Sequence, residues 1–128
     1  MKDIFATLVL GMLIFGFGGI NILDSVFPVE PIYRGDTAEI KVTAYNEPGD
    51  MSSIHGQHLK NMQIGAYWLD LGIIDVTSEF DLRDGEVATF SLFANIPRTA
   101  PKGWQPVYVW VDGDNGVSDA EYIFTYIE

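Results

Sequence analysis

Two histidines three positions apart, His55 and His58, are the residues of this chain best suited to holding a transition metal. Asp50, Met51 and Met62 flank them, so imidazole, carboxylate and thioether donors of the kind copper or zinc takes lie in and beside the polar stretch 46–61. A solvated loop accounts for the same residues, because nothing in the local pattern turns both rings to one side. Asp112, Asp114, Asn115 and Asp119 form a second group of oxygen donors. Their spacing departs from a calcium-binding EF-hand loop, with glycine one place early and no closing glutamate. Asn115-Gly116 is also a pair that tight hairpin turns select, since both residues tolerate positive φ. No metal or cofactor is assigned; His55 and His58 are kept as candidates.

Other chemistries lack their residues. There is no cysteine, which excludes disulfides, thiolate metal sites and thiol nucleophiles. Neither a Gly-x-Ser-x-Gly elbow, a His-Glu-x-x-His helix, a phosphate loop nor a dinucleotide fingerprint occurs. The expectation is a protein that is not an enzyme. Eighteen acidic residues against seven basic ones give a net charge of −11, which repels nucleic acid and anionic lipid headgroups. It favours basic partners, cations or a salty exterior.

The elements that would position these residues divide the chain at about residue 25. Ile4 to Leu23 carries no charge and only Thr7 and Asn21 as polar residues. Twenty residues in a helix span about 30 Å, the hydrocarbon thickness of a bilayer. The expectation is a transmembrane-type anchor helix over 1–25, in contact with lipid through residues 4–23. Lys2 precedes the span while Asp24 and Glu30 follow it, which places the N-terminus in the cytoplasm and the remainder outside. Gly11, Gly16 and Gly19 are candidates for helix–helix packing. A cleaved signal peptide is the competing reading, though Gly16-Phe17-Gly18 makes a poor cleavage site. An apolar helix ahead of a β-domain also resembles, in outline, filament subunits of the type IV pilin kind. The basic leader and the glutamate near the fifth helical position are missing.

Residues 26–128 show period-two alternation broken by turn residues. Phe27–Ile32, with two prolines, reads as an edge strand. Ala38–Tyr45 alternates with Ala38, Ile40, Val42 and Ala44 on one face. Met62–Leu69 does so with Met62, Ile64, Ala66 and Trp68. Ile73–Val76 is a short strand, and Val87–Ala94 turns Ala88, Phe90 and Leu92 inward. Val107, Val109 and Val111 share a face, and Ala120–Ile127 closes the domain. About seven short strands without a helical pattern predict an antiparallel β-sandwich.

Tyr33 to Ala44 resembles the second strand of prokaryotic immunoglobulin-like and fibronectin-III-like domains. Pro97–Gly103 followed by Val107 to Gly116 resembles their final hairpin, and Trp68 sits where they place a core tryptophan. The resemblance implies an immunoglobulin-like fold and a role in adhesion, assembly or spacing, without catalytic residues. Membrane-anchored β-sandwich components of the archaellum machinery share the layout.

Apolar residues on the outer face point further. With the valines of 107–111 inward, Tyr108 and Trp110 point out. If Glu121 and Thr125 mark the outside of the last strand, Ile123 and Ile127 join them. Four such residues on an acidic protein suggest a partner surface. The leading expectation is a non-catalytic, single-pass extracytoplasmic scaffold docking to other membrane or envelope proteins, or to itself. A pilus-like or archaellum-related filament subunit, and a metal-binding accessory using His55 and His58, are the alternatives.

Overall fold

The computed structural model describes residues 22–47 and 58–128. Among these described residues eight strands follow one another: β1 (Leu23–Pro28), β2 (Thr37–Tyr45), β3 (Leu59–Trp68), β4 (Ile73–Val76), β5 (Phe80–Leu82), β6 (Val87–Asn95), β7 (Gly103–Asp112) and β8 (Ser118–Ile127). All pairing between them is antiparallel. One sheet has the order β1-β2-β6; the other runs β4-β3-β7-β8, with β5 continuing the edge beside β3.

Alternation sets which way each strand faces. In β2 the small and branched residues Ala38, Ile40, Val42 and Ala44 are all buried. Opposite residues on paired antiparallel strands share a face, so the β2–β6 register brings Leu92 and Ala94 to the same side. From the other sheet, Met62, Ile64, Ala66 and Trp68 of β3 meet Val107, Val109 and Val111 of β7 in one continuous core. Phe80 and Phe90, with ring centroids 4.3 Å apart, pack against that core from two different sheets. The result is a two-layer, mainly-β sandwich.

The connections obey local chemistry. Gly85, at φ +75°, supplies the left-handed residue of the turn before β6, and its N–H donates to the Asn46 carbonyl at 2.7 Å. Pro106 lies where pairing between β3 and β7 has just ended at Trp68–Val107. Its missing N–H therefore costs no bond to β3, while its carbonyl still accepts from Leu69 N–H at 3.3 Å. The β7–β8 hairpin is not the tight two-residue turn suggested by Asn115-Gly116. Residues 114–116 form a 3-10 turn closed by Gly113 N–H donating to the Val117 carbonyl at 3.0 Å.

The expected architecture of a transmembrane-type helix followed by seven strands is corrected. Among the described residues there is no α-helix, and no helix long and apolar enough to cross a membrane. Ile22 and Leu23, the last two residues of the expected apolar span, belong to the sandwich: both are buried, and Leu23 begins β1. Their placement has a polar cause. Asp119 Oδ2, on β8, accepts the N–H groups of Ile22 and Leu23, each at 2.9 Å. The Ile22 carbonyl accepts from Tyr45 N–H at 2.8 Å. Residues 4–21, including Gly11, Gly16 and Gly19, lie outside the described residues, as do Asp50, Met51 and His55. The eighth strand, β5, is three residues long and gave no alternation to read.

Candidate functional site

The two outer faces of the sandwich differ in kind. On the β1-β2-β6 sheet, outward positions of β2 and β6 mix hydroxyls and charges with the exposed Val87 and Phe93. Thr43 and Thr89 lie 3.1 Å apart, and Ser91 donates to Glu39 at 2.5 Å. That is the ordinary dress of a sheet with one wet face. The outer face of the larger sheet is built from rings instead.

The register assembles that face row by row. Val76, Gly65, Trp110 and Ala120 make one row, and Ile74, Tyr67, Tyr108 and Tyr122 the next. Beyond the end of β3, Pro106 pairs with Phe124 and Trp104 with Tyr126. None of these side chains carries a charge, in a chain whose net charge is −11. Trp104 is 65% exposed, Phe124 59% and Ile74 58%. An apolar patch of this continuity on an exposed sheet face marks a docking surface more often than an accident of composition.

Its rings are ordered against one another. Trp104 meets Tyr126 edge-on at 5.3 Å between centroids, Tyr108 tilts against Tyr122 at 5.0 Å, and Tyr108 stacks on Trp110 at 5.7 Å. These are the offset and edge geometries that aromatic quadrupoles favour. Gly65 holds the platform flat at one end: the Trp110 indole lies across it, in space that a Cβ would occupy. Burial raises the phenol pKa values of Tyr108 and Tyr122 above their ordinary range, so both rings stay neutral.

Sequence reasoning placed Tyr108 and Trp110 on this face, and they are there, half-buried. It also placed Ile123 and Ile127 there, and that is corrected. Ile127 is completely buried and Ile123 packs against the core. The error came from taking Thr125 as an outer marker. Thr125 is fully buried, and its Oγ1 donates to the Gln105 carbonyl at 3.4 Å, so a polar residue faces inward. The outward residues of β8 are Tyr122, Phe124 and Tyr126, which went unnoticed because β8 is apolar on both faces.

Among the described residues the candidate metal donors do not converge. His58 Nε2 stands 3.7 Å from Asp81 Oδ2, with both side chains well exposed. Met62 is buried in the core, away from any role as a neighbouring thioether ligand. Asp114 accepts from Asn61 Nδ2 at 2.6 Å, whereas Asp119 holds the N–H groups at the start of β1. Among the described residues no group of three or more His, Cys, Asp or Glu side chains is arranged to hold a metal ion.

Fold and face together define a mainly-β sandwich with one mixed and one aromatic outer face. No family model matches the chain, and no curated protein matches it. Among solved structures it is similar to the crystal structure of Spo0M, the sporulation control protein of Bacillus subtilis, at 16% identity and a TM-score of 0.42. The match covers 85% of this chain and 50% of that one, so the chain spans about half the length of that neighbour. A likeness at this level transfers no role.

Proposed function

We propose that this protein is a non-catalytic docking module of the cell envelope. Its apolar N-terminal segment holds it at a membrane, with the β-domain on the extracytoplasmic side. It seats on an envelope or membrane component through the outer face of the β4-β3-β7-β8 sheet. The observation that carries this reading is the continuous, uncharged aromatic face on an otherwise acidic chain. The strand orders β1-β2-β6 and β4-β3-β7-β8 favour an immunoglobulin-like sandwich, in which the corresponding strands sort into these two layers. Such sandwiches serve many roles, so the face and not the fold supports the function.

Magnitude favours docking as well. Fully burying one large apolar side chain is worth about 1.5–3 kcal/mol, so completing the burial of several half-exposed ones supplies several kcal/mol. Free association in solution costs about that much or more in lost translational and rotational freedom. A chain already held at a membrane has lost most of that freedom beforehand, so a face of this size suffices.

Hydroxyl-radical footprinting compares the chain in its native membranes with the purified chain in mild detergent. Trp104, Phe124 and Tyr126 are expected to be protected in the membranes, while the equally exposed Phe93 on the other sheet is labelled in both. Equal labelling of the aromatic face in the two settings would sink the docking reading.

A further inference from the structure

The face also carries an identifiable occupant. Resting on the reading that the N-terminal segment holds the chain at a membrane, we propose that the aromatic face lies against the membrane itself, seated in the uncharged headgroup boundary of zwitterionic lipid.

Three observations converge on that surface. The first is where the chain leaves the sandwich. Asp119 fixes the N–H groups of Ile22 and Leu23 at the start of β8. The next residue, Ala120, stands beside Trp110 in the last aromatic row of the face, ahead of the Gln63–Asp112–Ser118 row. The apolar run Ile4–Asn21 therefore joins the domain at the edge where β1, of the other sheet, lies against β8, at the end of the sandwich that holds the Trp110 row. A membrane that takes up this run brings that edge, with the Trp110 end of the face beside it, to its surface.

The second is the kind of ring. Trp104, Trp110, Tyr108, Tyr122 and Tyr126 each carry a polar edge on an apolar body, the pairing that collects at the boundary between headgroups and hydrocarbon. From Trp104 to Trp110 the strand runs about 20 Å, so the rings lie along a surface and do not plunge into it. The third is charge. Every outward position of these rows is neutral, and Asp112, in the next row at the end of the face, is the carboxylate that a face-down domain keeps at its margin. The same charge of −11 opposes approach to anionic lipid, which makes the fit one to zwitterionic headgroups.

The test uses the full chain in phosphatidylcholine vesicles containing lipids brominated near the headgroup. Trp68 is buried and serves as an internal reference, while Trp104→Phe and Trp110→Phe leave the signals to be separated. Bromolipid is expected to quench Trp104 and Trp110 about twofold or more and acrylamide to lose access to them, as for interfacial tryptophan. Phe124→Glu, at an exposed position that leaves folding intact, should reverse both effects. Replacing a third of the lipid by an anionic one at low salt should weaken the quenching. Vesicle-bound chain whose Trp104 and Trp110 stay open to acrylamide overturns the proposal while leaving the membrane hold in place. Protection without bromolipid quenching, growing with protein-to-lipid ratio, assigns the face to a second copy and overturns it too. Protection in native membranes that pure lipid fails to reproduce assigns the face to another protein. A chain that ignores the vesicles altogether removes the membrane hold together with the proposal.

Discussion

Removing the Asp119 carboxylate tests how the sandwich keeps its first strand. One oxygen accepts two N–H groups from residues nearly a hundred positions away, at 2.9 Å each, and the other accepts Ala120 N–H at 2.8 Å. Hydrogen bonds to a charged partner contribute roughly 1.5–3 kcal/mol each, with the upper end reserved for dry sites. These are partly buried. Ile22 and Leu23 are themselves buried, so their N–H groups gain little water in exchange when the carboxylate goes. Asp119→Ala is therefore expected to cost about 2–4 kcal/mol. For a domain of about a hundred residues that is ~10 °C or more in melting temperature. Asp119→Asn keeps an acceptor oxygen and should fall between. Urea unfolding of the full chain in mild detergent, followed by tryptophan emission, reads the global loss. Hydrogen exchange over residues 22–28 reads the local one. If Asp119→Ala stays within about 0.5 kcal/mol of the parent, as an ordinary surface change does, and exchange over 22–28 is unaltered, the clamp is not what holds β1.

Three further perturbations separate the faces of the sandwich. Gly65→Ala puts a methyl group where the Trp110 indole lies, and should cost about 1–3 kcal/mol while red-shifting tryptophan emission as the ring swings into water. Ile127→Ala should cost about 2–5 kcal/mol as a core truncation, against less than about 1 kcal/mol for Phe124→Ala, measured by the same unfolding curves. The opposite result would restore Ile127 to the outer face. Burial, and then the charge of Asp119, raise the Glu121 carboxyl pKa. Because the folded value lies above the unfolded one, ionised Glu121 costs stability at neutral pH, and that cost disappears below about pH 4, where both states are protonated. Glu121→Gln should then melt slightly higher than the parent at neutral pH and equal to it at pH 3.5. An advantage that persists at pH 3.5 would not come from this group.

Much of the framework was legible because alternation is a local property. Ala38 to Ala44 and Met62 to Trp68 announce their inward faces in the sequence, and the structure buries them. β8 was legible as a strand but not as an orientation. Residues 122–127 read Tyr, Ile, Phe, Thr, Tyr, Ile, so either face passes for the inner one. Only pairing with β7, where Val107 faces Ile123 and Gly103 faces Ile127, decides the matter. The start of β1 was hidden for a related reason: Ile22 and Leu23 continue the apolar run before them, and hydropathy does not mark where a run stops being one element.

The chain by itself therefore determined its strand-rich character, its acidity, its lack of thiol chemistry and the inward faces of the strands with one apolar side. Tertiary structure alone decided that the rings of β7 and β8 stand in one uncharged platform, and that Asp119 ties the two ends of the domain together. Both depend on partners distant in sequence, and periodicity along a strand holds no record of which strand lies beside it.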